Sequence, residues 1–429
     1  MGSSRQWFDR DKLKEIFRTH WDSFKQTFPR YRAARYDEAV QKMRGCGDPK
    51  NGFATYVCSH CGGDHKKVPF SCKSCFCLSC AKVYTDQWAA RIEAILFPGV
   101  PYRHTVLTVP DELRIYFYRN AKLLSALMRV GVRCMEDTLA TVLRHPVCAG
   151  YIVVVQTNGR SGSYNPHLHI IMTSGGLATN SQGGHYWIKL KYLPYELLHK
   201  KWQYHLCEML KEQVPTKQMQ VTIDKLYGKY PHGLVANIQK GQVPKRIRQL
   251  AKYLAKYVVS PPISVRRIVS YDGQRVRYWY NDHKSGRRKV EEVDVFTFIG
   301  RMVQHILPKG MQRIRYFGLH ATAVYQGVRR RLRAILPSDA AQCQETFTVA
   351  RKGYRQRVIE TSAKDPFICS RCGGELILWK IWHPSYGVIY DEEERVKAGY
   401  YEGDKRGRDP DVRDLRYPLL QLSLPGLRV

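Results

Sequence analysis

An alternating run from Tyr164 to Met172 constrains the fold of this chain more than any other stretch. It reads Tyr-Asn-Pro-His-Leu-His-Ile-Ile-Met, which predicts an apolar β-strand that follows a hairpin. Side chains alternate between the two faces of a strand, so His167 and His169 point one way while Leu168 points into a core. Two imidazoles on one face of a strand predict a metal site on a sheet.

A basic segment farther along the chain predicts a helix that carries two tyrosines one turn apart. The helix is expected from Pro244 to Val259 and ends before two prolines. Tyr253 and Tyr257 would flank its buried stripe and lie close enough to share one site. We interpret them as nucleophiles toward a phosphodiester. The structural alternative is a pair of amphipathic tyrosines that keep their rings on the core and their hydroxyls in water.

The histidine pair and the tyrosine pair suit each other chemically. A phenol has a reference pKa of about 10, so its attack on a phosphodiester requires a polarised phosphate and loss of the phenolic proton. A divalent cation on the two imidazoles would assist both steps, and Mg²⁺ and Mn²⁺ both stay open. We favour Gln156 as the third ligand, because hairpin pairing would place it opposite the histidines. Gln249 is the alternative.

The charge of the chain predicts a polyanionic partner. Lys plus Arg outnumber Asp plus Glu by 70 to 37, which gives a net charge of +33 over 429 residues. Nucleic acid is the expected partner, since no apolar run is long enough to span a bilayer and no signal peptide is evident. We expect a cytoplasmic, nucleoid-associated bacterial protein. The residues predicted to hold the phosphate backbone are Lys245, Arg246, Arg248, Lys252 and Lys256.

Cysteine spacing predicts structural zinc. Four Cys-x-x-Cys pairs occur among 13 cysteines, where composition alone predicts about 0.4. Two of these pairs, Cys58 with Cys61 and Cys77 with Cys80, are spaced for one tetrahedral Zn²⁺ site with four thiolates. Such a site is closed, so we expect it to be structural.

Other cysteines and a histidine nearby leave alternatives open. Cys72, Cys75 and His65 would form a second site, substitute as zinc ligands, or be buried without a metal. The pair Cys369 and Cys372 lacks a second pair in its vicinity, so we expect no metal there without His383 or a distant ligand.

The order of the predicted elements indicates an α+β fold. An antiparallel sheet flanked by helices would hold the histidines and the tyrosine helix. A single helix is expected over 112–143 and a loop over 174–184, and we find no internal repeats. We predict four domains: an N-terminal helical segment (1–45), a zinc-binding domain (46–97), a catalytic core (98–310) and a basic C-terminal region with a Cys-x-x-Cys knuckle (311–429).

Seven motifs in order resemble those of a known family. They are Cys58-Ser-His-Cys61, Ser71-Cys72-Lys73, Phe76-Cys77-Leu-Ser-Cys80, Leu107-Thr-Val-Pro110, Gln156-Thr-Asn-Gly159, Pro166-His-Leu-His-Ile170 and Tyr253-Leu-Ala-Lys-Tyr257. The series is similar to that of the two-tyrosine HUH transposases, the rolling-circle insertion-sequence family numbered ninety-one, over residues 45–320. One departure is Cys75, where a basic residue is expected in the family, and it concerns the zinc ligands only.

The resemblance implies a HUH endonuclease core with the histidine pair on a central strand. By that resemblance His167 and His169 match the HUH ligands, Gln156 falls where a third polar ligand is expected, and Tyr253 and Tyr257 match the paired nucleophiles. It further implies DNA transposition through a 5′-phosphotyrosine and a free 3′-hydroxyl, on single-stranded DNA at transposon ends and on target DNA.

Two rival functions remain at this point. The same chemistry would serve a rolling-circle replication initiator or a conjugative relaxase. A rival of another class is a non-catalytic, zinc-dependent DNA-binding regulator whose tyrosines are structural. The sequence predicts no oligomeric state.

Overall fold

The fold is taken from a computed structural model, which describes residues 11–74, 76–238, 247–258, 262–282, 285–336 and 353–398. Every strand pair among these residues is antiparallel, and helices alternate with the strands, so the predicted α+β class is confirmed. The described residues group into two compact units, one within Met1–Cys46 and Ser71–Lys364, the other within Gly47–Phe70 and Asp365–Val429.

The helices of the described residues fall in both units. They are α1 (Lys12–Thr27), α2 (Ala34–Arg44), α3 (Ala81–Ile95), α4 (Asp111–Arg119), α5 (Lys122–Leu143), α6 (Tyr195–Gln213), α7 (Lys217–Lys229), α8 (Ile247–Val258), α9 (Val295–Val303), α10 (Tyr325–Ile335), α11 (Tyr354–Ser362) and α12 (Glu392–Lys397). No helix in this part of the chain is long and apolar enough to cross a membrane.

The strands form four sheets. They are β1 (Phe53–Cys58), β2 (His65–Pro69), β3 (Tyr102–Thr108), β4 (Gly150–Asn158), β5 (Tyr164–Thr173), β6 (Gly175–Thr179), β7 (His185–Lys189), β8 (Ala236–Ile238), β9 (Ile268–Tyr271), β10 (Arg275–Asn281), β11 (Arg288–Asp294), β12 (Ile314–Gly318), β13 (Leu376–His383) and β14 (Gly387–Asp391). The largest unit contains a five-stranded sheet in the order β12-β4-β5-β3-β8, with β11-β10-β9 and β6-β7 as smaller sheets.

Helices cover both faces of the five-stranded sheet. Side chains alternate between the two faces along β4 and β5, and apolar residues occur on each face. Val153, Val155, Leu168 and Ile170 belong to a core shared with α4, α5, α6 and α7. Residues on the opposite face of the same strands pack with α3, α8 and α10. A third core joins α1, α2 and α9 to the three-stranded sheet. The sheet is therefore a buried central layer with helices on each side.

The second unit is small and consists mainly of one sheet in the order β14-β13-β1-β2. Strand β1 pairs with β13, so segments near opposite ends of the chain lie side by side, with Cys58 opposite Leu376. In the part of this unit that the structure describes, a buried apolar cluster contains Cys58, Phe367, Cys369 and Leu376, with Tyr56 and Val68 packed against them. The four predicted domain ranges stay a prediction, although the segment 46–97 contributes to both units.

Local hydrogen bonds explain why the predictions of a single helix over 112–143 and of a loop over 174–184 were wrong. The helix expected over 112–143 is split into α4 and α5, because Asn120 leaves helical geometry and its side chain accepts a hydrogen bond from the Lys122 amide at 3.1 Å. The segment 174–184, expected to be a loop, contains strand β6 and the turn that leads to β7, and Asn180 accepts hydrogen bonds from the amides of Gln182 and Gly184 in that turn. Strand β12 joins the large sheet from beyond residue 310.

We predict that Gly131→Ala in α5 destabilises the protein. A Cβ there would lie 2.4 Å from Leu168 Cδ1 and 3.2 Å from Ile170 Cδ1, so α5 approaches β5 through this glycine. Overpacking a filled core of this kind costs about 1–3 kcal/mol. Gly228→Ala in α7 is the matched control, because a Cβ there meets no atom within 4 Å. The control should be neutral or stabilising by up to about 1 kcal/mol. Urea denaturation midpoints would measure both, and equal midpoints would contradict the prediction.

Candidate active site and cysteine clusters

The two histidines lie on the central strand of the five-stranded sheet. Strand β5 is hydrogen-bonded to β3 on one side and to β4 on the other. His167 is opposite Gln156 of β4 and Thr108 of β3, and His169 is opposite Val154 and Val106. Directly opposed residues of an antiparallel pair share a face, so Gln156 lies on the same face as both imidazoles. We call this surface the histidine face.

Helix α8 covers the histidine face. Its buried residues repeat at helical spacing, and they pack with Ile152, Val154 and Ile171 of the sheet; they are Leu250, Ala251, Leu254, Ala255 and Val258. Tyr253 and Tyr257 are half-buried beside this stripe. The predicted buried stripe is therefore present, and its packing turns both tyrosines toward the histidines.

Ring contacts bring the predicted nucleophiles and ligands into one cluster. Tyr257 stacks on His169 with ring centroids 4.1 Å apart, and the two tyrosine rings are 5.3 Å apart. His167 and His169 are 4.9 Å apart in an edge-to-face arrangement. The structure thus assembles four residues that are separated by up to ninety positions in the sequence.

Hydrogen bonds fix the ligand atoms of this cluster. His169 Nε2 lies 3.2 Å from Gln156 Oε1, and the Gln156 amide donates to the carbonyl of Tyr257. His167 Nδ1 lies 2.7 Å from the carbonyl oxygen of Asn165, which can only accept, so Nδ1 carries the proton and Nε2 the lone pair. The Gln156 side chain therefore connects the histidine face to the backbone of α8.

Sequence analysis missed one member of the cluster, His104 of β3. This imidazole is only 2% exposed, with Nε2 2.9 Å from His169 Nδ1 and Nδ1 2.7 Å from the Tyr253 hydroxyl. Its position opposite Ile171 puts it on the histidine face. The available signal was a single histidine in the strand predicted over 102–109, but its significance depends on the pairing of β3 with β5.

Burial keeps the histidines neutral. Desolvation lowers the pKa of His167, and it lowers the pKa of His169 well below its usual value, with further lowering by the adjacent His167 and His104. A neutral imidazole is the form that binds a metal ion. The electrostatics of the histidine face therefore favour ligation over protonation.

The separation of His169 Nε2 from Gln156 Oε1 is that of two ligands of one divalent ion. Two atoms bound at a right angle to an ion at about 2.1 Å are about 3.0 Å apart, close to the separation of His169 Nε2 from Gln156 Oε1. Gln249, the alternative ligand, is exposed on α8. The structure therefore favours Gln156 over Gln249 as the neighbour of the two imidazoles.

Basic residues flank the site on the solvent side of α8. Arg248, Lys252 and Lys256 are exposed there. Lys245 and Arg246, the other two predicted phosphate contacts, lie outside the described residues. A cavity of about 210 Å³ opens beside Gln156 and Tyr257 and is bordered by His305 and Arg313. Positive charge thus accompanies the tyrosines along the helix.

The cysteines form two clusters rather than the predicted one. The first contains Cys46, Cys72, Cys77 and Cys80, and the second contains Cys58, Cys61, Cys369 and Cys372. Within each cluster all four sulfur atoms lie within 4.8 Å of one another. Four thiolates at this separation fit a closed tetrahedral zinc site.

This arrangement corrects the predicted ligand set of Cys58, Cys61, Cys77 and Cys80. The pairing of β1 with β13 brings Cys369 and Cys372 to Cys58 and Cys61, so no ligand from Cys77 or Cys80 is needed there. Cys46 was not predicted at all. His65 is exposed on β2 and belongs to neither cluster, and Cys75 lies outside the described residues.

Comparisons with known proteins agree with these features. Residues 150–327 match the family model described as "Putative transposase", and residues 16–109 match the one described as "Transposase zinc-binding domain". The "Transposase for insertion sequence element IS801" of Pseudomonas savastanoi pv. phaseolicola is 28% identical over 357 residues, which are 79% of this chain and 82% of that protein. The chain belongs to the IS91 family of transposases.

A second relative supports this membership in the transposase family. "Putative transposase y4qJ" of Sinorhizobium fredii (strain NBRC 101917 / NGR234) is 25% identical to this chain over 395 residues, which are 86% of this chain and 95% of that protein. No solved structure matches the transposase significantly. The matched zinc-binding region includes the whole first cysteine cluster, from Cys46 to Cys80. Zinc binding by the transposase thus has support from both family and geometry.

We predict that the transposase loses stability as the pH falls below about 6.5, the reference pKa of an unfolded histidine. The half-buried His167 and the buried His169 have lowered pKa values in the folded state, so the unfolded chain binds protons that the folded chain does not. Their contribution is complete above about pH 6.5 and declines as the pH falls toward the folded pKa. The substitution His169→Gln should reduce the difference between urea midpoints at about pH 7.5 and about pH 5.5. An unchanged difference would contradict this assignment.

Proposed function

We propose that this transposase cleaves and joins single-stranded DNA through a covalent 5′-phosphotyrosine formed by Tyr253 or Tyr257. The observation that carries the proposal is the contact of both phenols with the histidine face. Tyr257 stacks on His169, and the Tyr253 hydroxyl lies 2.7 Å from His104. Tyrosines with a purely structural role on an amphipathic helix keep their hydroxyls in water. Here the two phenols contact buried imidazoles instead.

His167, His169 and Gln156 would hold Mg²⁺ or Mn²⁺ in this proposal. The lone pair on His167 Nε2 and the separation of His169 Nε2 from Gln156 Oε1 support that ligand set. When bound, the ion supplies Lewis-acid polarisation of the scissile phosphate and a template for its oxygens. The two imidazoles and the amide contribute neutral ligands, so the net positive charge of the ion stays available for the phosphate.

His104 is a positioning residue for Tyr253. Ligation through Nε2 leaves the proton of His169 on Nδ1, which then donates to His104 Nε2. His104 in its neutral form must carry its own proton on Nδ1, directed at the Tyr253 oxygen. A donor at that oxygen stabilises the phenolate that forms as the phenol attacks. Tyr257 is held differently, through ring stacking and the Gln156 amide.

The covalent step exchanges one phosphodiester for another. The phenolic oxygen attacks phosphorus, the bond from phosphorus to the 3′ oxygen breaks, and the leaving oxygen takes a proton to become a 3′-hydroxyl. Attack of a 3′-hydroxyl on the phosphotyrosine reverses the step and joins strands. Bond energy is conserved, so no nucleotide cofactor is needed. Two tyrosines allow a second cleavage while the first strand is still attached.

Single-stranded DNA at the ends of the element is the proposed substrate. The exposed Arg248, Lys252 and Lys256 lie on the same helix as the tyrosines and would neutralise the phosphates on either side of the cleaved bond. The net charge of +33 supports a nucleic-acid partner for the chain as a whole. A rolling-circle route of transposition follows from single-strand chemistry with paired nucleophiles.

We expect a covalent protein–DNA adduct with labelled single-stranded DNA from the termini of the element, in the presence of Mn²⁺. The Tyr253→Phe and Tyr257→Phe single variants should each retain one nucleophile, and the double variant should form no adduct on a denaturing gel, because a phenyl ring has no attacking oxygen. His167→Ala should also abolish the adduct. Tyr192→Phe is the matched control, since this tyrosine is 67% exposed and lies outside the cluster.

An intact adduct in the double variant would overturn the nucleophile assignment. Binding of the same DNA without any adduct in the wild type would favour the non-catalytic regulator instead. A relaxase or replication initiator would give the same adduct on a different DNA sequence, so the element termini and a plasmid origin serve as competing substrates.

His104→Phe should reduce adduct formation by Tyr253 more than by Tyr257, roughly tenfold to a hundredfold. The comparison uses Tyr257→Phe and Tyr253→Phe backgrounds, in which one nucleophile acts alone. His104→Gln should restore much of the rate, because its amide can accept from His169 and donate to Tyr253. A merely structural role would lower both backgrounds equally and would not depend on the hydrogen-bonding capacity of the replacement.

A further inference from the structure

A short repeat joins two distant parts of the chain, although sequence analysis found none. Cys58-Ser-His-Cys-Gly-Gly-Asp64 and Cys369-Ser-Arg-Cys-Gly-Gly-Glu375 differ at two of seven positions, and each leads directly into a strand. The glycine after the second cysteine has positive φ in both, +62° at Gly62 and +74° at Gly373. Both segments therefore form the same tight turn, and we call these segments the two knuckles.

The two knuckles are hydrogen-bonded to each other in a reciprocal way. Ser59 donates from its amide and its hydroxyl to the carbonyl of Glu375, at 3.0 Å each. Ser370, its counterpart, donates from its amide and hydroxyl to the Asp64 carboxylate at 2.8 and 2.9 Å. Each serine thus donates hydrogen bonds to the opposite knuckle, so the two knuckles are related by approximate twofold symmetry around the sulfurs.

The four cysteine sulfurs at the centre have the spacing of metal ligands. Cys58 Sγ lies 3.5 Å from Cys372 Sγ, and Cys61 Sγ lies 3.7 Å from Cys369 Sγ. A ZnS₄ tetrahedron with bonds of about 2.3 Å has edges of about 3.8 Å, whereas a disulfide bond is about 2.05 Å. The four cysteines form no disulfide bond, and the two sulfur separations are close to the edge of a ZnS₄ tetrahedron.

The backbone around the sulfurs also suits thiolates. The amides of Cys61 and Arg371 each lie 3.4 Å from the first sulfur of their own knuckle, Cys58 and Cys369 respectively. Such N–H donors stabilise negative charge on sulfur. A Cβ on Gly374 would lie 3.3 Å from Cys372 Sγ and 3.4 Å from Cys58 Sγ, so the chain passes close to the cluster there.

We propose that Cys58, Cys61, Cys369 and Cys372 bind a second Zn²⁺ and close a zinc ribbon made from two ends of the chain. Cys369 and Cys372 lie beyond both regions that match family models, 16–109 and 150–327. The site is structural, because four thiolates fill the coordination sphere. It is independent of the proposed nuclease activity.

The ribbon needs the metal because its apolar core is small. Among the described residues of this unit, the buried cluster consists of Phe367, Leu376 and two of the ligands themselves. Domains with cores of this size usually depend on a metal or disulfides for stability. The described part of the ribbon also has nearly equal numbers of basic and acidic residues, in contrast with the strongly basic chain. We therefore assign it a role in tethering the segment after residue 364 to the hairpin of β1 and β2.

Zinc content measured on the full-length chain tests the proposal. Elemental analysis should give two zinc ions per chain in the wild type. Cys369→Ser combined with Cys372→Ser should retain one, and adding Cys58→Ser and Cys61→Ser should cause no further loss, because all four residues share one ion. Cys148→Ser is the control and should retain two, since this exposed cysteine belongs to neither cluster. An equal zinc content in the wild type and the double variant would overturn the proposal.

Thiol protection gives a second test that needs no variant. Cys61 and Cys372 are exposed, as is Cys148. In the zinc-loaded protein an alkylating reagent should modify Cys148 but not Cys61 or Cys372, and a chelator should release both knuckle thiols together while the rate at Cys148 stays the same. Mass spectrometry of the digested protein would measure this. Modification of Cys61 and Cys372 at equal rates with and without chelator would contradict zinc ligation.

Discussion

The packing of α8 against the histidine face is the contact on which the candidate active site depends. Burial of a Leu or Val side chain contributes about 1.5–3 kcal/mol, and α8 buries Leu250, Leu254 and Val258 on the sheet. These side chains fix the rotation of the helix about its own axis. A helix rotates by about 100° per residue, so a shift of one position would move the phenols away from the imidazoles. The geometry of the nucleophiles is therefore set by apolar residues that take no part in the chemistry.

The polar side chains of the site satisfy their hydrogen-bonding groups by bonding to one another. His104, His169 and Gln156 form a continuous hydrogen-bonded series from the Tyr253 hydroxyl to the backbone of α8. Buried polar groups are costly unless they are paired, so this series restricts each ring to one orientation. The contacts that pair the buried polar groups therefore also fix the orientation of the histidine rings.

The two cysteine clusters have a comparable role, because each joins segments that are separated in the sequence. The first cysteine cluster connects the chain before and after residues 47–70, and the second connects segments that are more than three hundred residues apart. Cys58 and Cys61 were expected to share a metal with Cys77 and Cys80, which follow at a common zinc-site spacing. The partners are decided instead by the pairing of β1 with β13. Spacing predicts that a Cys-x-x-Cys pair is a ligand pair, but it carries no information about which pairs meet.

The sequence by itself determined what local periodicity encodes. Alternation over Tyr164–Thr173 defined a buried strand with both histidines on one face, helical spacing placed the tyrosines beside an apolar stripe, and the hairpin brought Gln156 opposite His167. Only the tertiary structure decided the contacts between distant segments, namely His104 beside Tyr253, Cys46 in the first cysteine cluster, and the two knuckles around the second. The physical reason is that strand and helix periods are properties of neighbouring residues, whereas the choice of a distant partner depends on the packing of the whole core.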